Sequence, residues 1–87
     1  MKPEILAIYD NPEYTDRYTV VFSSRAMVDP KDTDLRDCLM VGDDPTHPQN
    51  GYSQMGVAQL GPHLGKRIRF EQLPERVQNH VMERVGE

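Results

Sequence analysis

Tryptophan is absent from this 87-residue chain, and other large apolar side chains are scarce: two Phe, four Tyr and 37% hydrophobic residues in all. A chain this short buries only about 60–65% of the surface that its unfolded state exposes. The core is therefore thin, and little apolar surface remains for an enclosed pocket. These features predict a single domain over residues 1–87, and a homodimer is a candidate assembly because a second copy would supply further burial.

Cysteine occurs only once, so the chain cannot form an internal disulfide. Cys38 lies beside Leu39, Met40 and Val41, and this context predicts a buried, reduced thiol. No run approaches the roughly 18 apolar residues of a transmembrane helix. The first ten residues, MKPEILAIYD, lack the apolar core of a signal peptide. We therefore expect a soluble cytoplasmic protein with no membrane partner.

A basic surplus is also missing. The formal net charge is −4; residues 1–45 hold ten acidic and five basic residues, whereas residues 46–87 hold four acidic and five basic ones. Broad binding to a phosphate backbone needs a basic stripe or face. The charge balance therefore favours a protein partner over nucleic acid, although a local basic patch is compatible with contact to either.

Complete metal and nucleotide motifs are absent as well. The acidic residues 29–37 lack the glycine and the terminal glutamate of a calcium loop. Residues 61–67, GPHLGKR, lack the fourth intervening residue and the Ser or Thr of a P-loop. The candidate zinc ligands have none of the paired spacings of structural zinc sites: Cys38, His47, His63 and His80. We expect no metal and no cofactor.

Nucleophilic catalysis requires a nucleophile, a base and an orienting group in contact. Ser53, a histidine and Asp43 or Asp44 supply the residue types, but no Gly-x-Ser-x-Gly elbow surrounds Ser53. The sequence therefore predicts no catalytic residue. A small hydrolase centred on His47 or His63 is kept as an alternative.

Five segments have strand patterns, among which RYTVVF is the strongest because of its β-branched and aromatic residues. The first two segments are separated by a short polar turn, which favours an antiparallel hairpin. In KRIRF, the alternation directs Ile68 and Phe70 toward the core, and Arg67 and Arg69 toward water. In YSQMGVAQL, alternation places Ser53, Met55 and Val57 on one face and Tyr52, Gln54 and Gly56 on the other. The predicted strands are residues 4–9, 17–22, 38–41, 52–60 and 66–70, with an exposed connection over residues 27–37.

The C-terminal segment has the pattern of an amphipathic helix. Pro74 suits a first helical turn, and Val77, Val81 and Val85 recur at intervals of four to form one apolar stripe. Gly86 would end the helix. Five strands followed by one helix predict an α+β fold: a small curled antiparallel β-sheet or barrel of about five strands with one C-terminal helix.

Two features are candidate partner-binding sites, and we expect them to combine into one joint surface. The first is the long polar connection GDDPTHPQNG and the tyrosine that follows it, whose candidate residues are His47, Gln49, Asn50 and Tyr52. The second is a basic patch with candidate residues His63, Lys66 and Arg67. Each has a structural alternative. The connection can be a loop whose side chains bond to its own backbone, and the arginines can simply line a solvated strand face.

Three motifs carry a resemblance that spans residues 5–81: DRYTVVF, DDPTHPQNGYSQ and GPHLGKRIRFEQLPERVQNHV. In this order they resemble a family of small uncharacterised bacterial and bacteriophage-associated proteins. The family pattern has a glycine directly after His-Pro-Gln, whereas Asn50 intervenes here before Gly51. The resemblance implies no activity or cofactor.

From these features we expect a non-catalytic interaction domain associated with a phage or another mobile element, which binds an unidentified protein. The alternatives are a nucleic-acid-binding module that uses residues 66–69 and the small hydrolase.

Overall fold

Strands and a C-terminal helix account for most of the described chain. The computed structural model describes residues 4–25, 35–45, 47, 51 and 53–86. The strands are β1 (Ile5–Asp10), β2 (Tyr18–Arg25), β3 (Arg36–Val41), β4 (Ser53–Ala58) and β5 (Lys66–Ile68). Short 3₁₀ turns occur at Pro62–Leu64 and Phe70–Gln72, and helix α1 spans Glu75–Gly86. The α+β prediction is confirmed.

The strands form one antiparallel sheet in the order β4-β3-β2-β1-β5. The predicted β1–β2 hairpin is present, with Asp10 opposite Tyr18. The sheet is open, with β4 at one edge and β5 at the other, so the barrel alternative does not apply. Its two edges are available as separate surfaces.

Helix α1 covers one face of the sheet. Val77 and Val81 have no solvent exposure, and Val85 packs against the same cluster, so the predicted stripe is confirmed. Ile68 and Phe70 also pack against this cluster, as their alternation predicts. The buried residues of this helix-side core are Ile8, Tyr18, Val20, Phe22, Leu39, Val41, Leu73, Val77 and Val81.

A smaller cluster lies on the opposite face. It consists of Ala7, Tyr9, Val21 and Cys38, which are all buried. The seven residues between β4 and β5 lead from one edge of the sheet to the other, and Leu64 within them packs against this cluster. The connection therefore helps to cover the second face. Cys38 is buried in this cluster, so the prediction of a buried thiol is confirmed.

Gly65, the last residue of the β4–β5 connection, has a backbone conformation that residues with a side chain rarely adopt. Its φ is 118°, and a Cβ there would overlap the backbone carbonyl of Asp10. The chain needs this close approach because Lys66 pairs with Asp10 at the next residue. Gly65 thus fixes the start of β5 against the end of β1.

Every strand has a boundary that differs from its prediction: β1 lies one residue further along the chain, β2 continues to Arg25 instead of residue 22, and β4 ends at Ala58 instead of residue 60. Polar contacts and a turn explain the differences at β3 and β5. Residues 36 and 37 belong to β3 instead of an exposed connection, because their polar side chains bond to β2: Ser24 donates to Asp37 (2.8 Å), and Arg36 donates to the Ser23 carbonyl (2.8 Å). At the other end of the sheet, β5 stops at Ile68 because Phe70 begins a 3₁₀ turn. Residues 27–34 of the predicted connection lie outside the described residues.

Candidate functional site

A groove opens beside the first half of β1. β5 pairs with β1 only at Ile8, Tyr9 and Asp10, so residues 5–7 have no strand partner on this side within the described part of the chain. The groove has a volume of about 450 Å³ and is lined by residues 5–8 and 67–71. It therefore combines an unpaired strand edge with a partly apolar lining.

The far wall of the groove is held in place by two glutamines. The Arg69 backbone N–H donates to Gln72 Oε1 (2.8 Å), which closes the 3₁₀ turn Phe70–Gln72. Gln78 of α1 donates through Nε2 to the Leu73 carbonyl (2.9 Å) and, at 3.4 Å, to that of Glu71. These bonds direct the chain away from β1 after Ile68, and the groove is the space that this divergence leaves.

The rim of the groove carries positive charge. Arg67 and Arg69 are exposed, and among the described residues neither forms an ion pair with a carboxylate. Arg67 Nη2 lies 3.3 Å from the Leu6 carbonyl oxygen, to which it donates. That bond shows that a backbone acceptor of β1 points into the groove. Exposed Glu71 supplies one negative charge at the end of the lining.

The predicted basic patch is divided by the sheet. Lys66 and Arg67 are successive residues of β5, so their side chains project to opposite faces. His63 lies in the preceding 3₁₀ turn Pro62–Leu64 and is exposed. Of the predicted site residues that the structure describes, Arg67 is the one that lines the groove.

The predicted loop site belongs to the other side of the sheet, between β3 and β4. Exposed His47 donates its backbone N–H to the Asp44 carbonyl (3.2 Å), and its own carbonyl accepts from Gly51 N–H (3.0 Å). Both bonds join backbone to backbone, so they do not test the structural alternative, in which side chains bond to the loop's own backbone. Gln49, Asn50 and Tyr52 lie outside the described residues, so a joint surface with His63 and Arg67 stays a prediction.

A serine and a histidine meet where this connection enters β4. Ser53 Oγ lies 2.7 Å from His80 Nε2 of α1. The sequence offers His47 or His63 as the histidine beside Ser53, and His80 only as a candidate metal ligand. The helical period places His80 beside the buried stripe, but nothing in the sequence specifies that this face meets β4. No described carboxylate is hydrogen-bonded to the His80 ring, so the pair has no third member of a triad within the described residues.

Two further polar contacts stabilise this end of the sheet. Arg17 forms a two-point ion pair with Asp10 (2.7 and 3.1 Å) and lies over the ring of Tyr18, thereby closing the β1–β2 hairpin. Arg76 donates to the carbonyl and the carboxylate of Asp43, which ties the start of α1 to the β3–β4 connection. Each of these groups is bound to another part of the fold, so we assign these contacts a structural role.

The described part of the chain has neither a metal-binding cluster nor a membrane-spanning helix. There, no three His, Cys, Asp or Glu side chains lie close enough together to hold a metal ion. Nor is any described helix long and apolar enough to cross a membrane.

Comparison with known proteins adds no relative from which a function can be carried over. No family model, curated protein or solved structure matches this chain. The groove and its charge are therefore the basis for assigning a function.

Proposed function

We propose that this chain is a small, non-catalytic interaction domain that acts in the cytoplasm by binding a protein partner. The observation that carries the proposal is the groove, in which residues 5–7 of β1 have no described strand partner on the side away from β2 and lie beside two arginines that have no described carboxylate partner. An extended segment can add to such an edge through main-chain hydrogen bonds, while side-chain contacts give selectivity.

Charge defines the class of segment that fits. Arg67 and Arg69 attract carboxylates, and a guanidinium group can bind a carboxylate through two parallel hydrogen bonds. The lining near Ile5, Ile68 and Phe70 offers apolar contact. The partner is thus a protein that presents an extended segment with alternating apolar and acidic residues. The resemblance to bacteriophage-associated proteins favours a host protein or one encoded by the same mobile element.

Synthetic peptides test this proposal directly. We expect an eight-residue peptide of alternating valine and glutamate to bind, and the same peptide with lysine in place of glutamate to bind at least about tenfold more weakly. The measurement is fluorescence anisotropy at low ionic strength. Arg67→Glu/Arg69→Glu should reverse the preference, whereas Arg84→Glu, on α1 and outside the groove lining, should preserve it.

The loop is tested separately. Capture of proteins from a bacterial host lysate is compared between the wild type, the Arg67→Glu/Arg69→Glu variant and a His47→Ala/Gln49→Ala variant. If only the loop variant loses its partner, the binding surface is the β3–β4 connection and the groove assignment is wrong. If a single-stranded oligonucleotide binds and the arginine variant abolishes this binding, the ligand is nucleic acid.

A hydrolase is the second candidate, because Ser53 and His80 lie at hydrogen-bond distance. It predicts that a fluorophosphonate probe labels Ser53 and that His80→Ala prevents the labelling. The interaction-domain proposal predicts no labelling above that of Ser53→Ala, since no described carboxylate bonds to His80 and the pair lies outside the groove lining.

A further inference from the structure

β4 is fully paired with β3 but poorly covered. All six residues of β4 have partners in β3, from Val41 opposite Ser53 to Arg36 opposite Ala58. None of the six is buried, whereas each of β1, β2 and β3 contributes buried residues. The strand is therefore held mainly by its ladder to β3. Its other contacts are at its ends, where Ser53 meets His80 of α1 and the partly buried Ala58 packs against the cluster on the second face.

Its apolar side chains project on the helix side of the sheet. Met55 pairs with Leu39 and Val57 with Asp37, so Met55 and Val57 share a face two residues apart. They are 47% and 43% exposed, and Leu60 just beyond the strand is 45% exposed. Three large apolar side chains thus lie along one edge.

The outer edge of β4 lacks the usual protection against pairing. Its sequence, SQMGVA, contains no charged residue and no proline, and its six-residue register to β3 has no bulge. Natural edge strands are commonly protected by lysine, proline or a bulge. An edge without these features is suited to pairing with another strand.

We propose that β4 pairs with the same strand of a second copy, antiparallel and about a two-fold axis, to form a homodimer with a continuous ten-stranded sheet. The lack of charge on β4 favours this occupant. An uncharged strand meets its own copy without repulsion, and a two-fold interface uses the same surface twice. The opposite edge could not do the same, because β5 would bring Lys66 and Arg67 against identical charges.

The side chains select a register. With the axis at Gly56, Met55 of one copy lies opposite Val57 of the other, and Val57 lies opposite Met55, so both apolar pairs are buried together. An axis at Met55 would instead set Val57 opposite the polar Ser53. The interface does not involve the groove, so this proposal stands or falls independently of the proposed function.

The oligomeric state tests the proposal. We expect sedimentation velocity to show a dimer at about 100 µM, and Met55→Lys to raise its dissociation constant at least about tenfold. Met82→Lys is the matched control, because Met82 is also an exposed methionine (55% exposed) but lies on α1 instead of β4. Circular dichroism checks that both variants fold. A monomeric wild type, or a dimer that Met55→Lys leaves intact, overturns the proposal.

Mixing two variants tests the register. Met55→Glu and Val57→Lys should each dissociate the homodimer, because each places unpaired charges against apolar groups. In an equimolar mixture, the introduced glutamate of one chain lies opposite the introduced lysine of the other, so a heterodimer should form. Failure to form it contradicts antiparallel pairing about Gly56.

Discussion

The two edges of the sheet differ in length, charge and surroundings. β4 presents six uncharged residues, and no residue of it is buried. The other edge is only three residues long, carries Lys66 and Arg67, and leaves the first half of β1 open beside a groove. An uncharged edge suits its own copy, whereas a positively charged edge repels its copy and attracts an acidic segment. One small sheet can therefore serve assembly at one edge and recognition at the other.

A charge in the helix-side core should unfold the chain and thereby abolish the function of both edges. Val81 is fully buried beneath the sheet, so Val81→Asp places an unpaired charge in the helix-side core. We expect it to lower the free energy of unfolding by roughly 3–5 kcal/mol, which approaches the whole stability of a small domain. Urea denaturation followed by circular dichroism measures this loss. Near wild-type stability would mean that α1 does not pack in this register.

A substitution at Gly65 should impair peptide binding at the groove edge and leave pairing at the β4 edge intact. Gly65→Ala forces a side chain into a positive φ and against the Asp10 carbonyl, so we expect a loss of about 2 kcal/mol and a weakened β1–β5 pairing. Peptide binding in the groove should fall while the dimer persists. Gly61→Ala is the control, because its added Cβ meets only the His63 ring. Equal losses from the two variants would contradict the role assigned to Gly65.

Added salt should produce a smaller difference between the two edges, because it should weaken peptide binding but not dimerisation. Raising sodium chloride from about 0.05 to 0.5 M shortens the screening length several-fold, and binding of the acidic peptide through exposed arginines should weaken about tenfold. The dimer constant should hardly change, because β4 carries no charge. The two constants are measured by titration in the same buffers. A dimer as salt-sensitive as the peptide complex would show that charged groups hold it together.

A change of pH should have the smallest effect on stability, because the two groups concerned, a thiol and a phenolic hydroxyl, stay protonated near neutrality. Burial raises the pKa of the Cys38 thiol above its ordinary 9.0 and that of the Tyr18 hydroxyl above its ordinary 10.0. Since folding favours the protonated forms, their contribution is complete below these values and is lost as the pH rises through the folded-state pKa.

We therefore expect stability to fall above about pH 9, with a shallower fall in Cys38→Ala and in Tyr18→Phe. Urea denaturation at pH 7–11 measures it. Stability that rises with pH in this range would contradict the sign of both shifts.

Local patterns predicted the fold well, because the signals are local in the sequence. The period of Val77, Val81 and Val85 specifies the buried side of α1, and the alternation in residues 66–70 specifies that Ile68 faces inward. The strand boundaries at Arg36 and Ile68 were less predictable. They depend on bonds from β2 to Asp37 and from Gln72 back to Arg69, which no hydrophobic period reveals.

The candidate site was predicted only in part. Arg67 was named from the sequence, but the groove exists because β5 separates from β1 after Ile68, and strand order is not a local property. The contact of Ser53 with His80 joins residues 27 positions apart, and it depends on where α1 crosses the sheet. The exposure of Met55 and Val57 depends equally on β4 being an edge strand.

Amide hydrogen exchange, measured at low and high protein concentration with and without the valine–glutamate peptide, reports on both edges in one experiment. We expect the peptide to protect amides of residues 5–8 at either concentration, and high concentration alone to protect β4. Protection of β4 by the peptide, or of residues 5–8 by concentration alone, would contradict the assignment of the two edges.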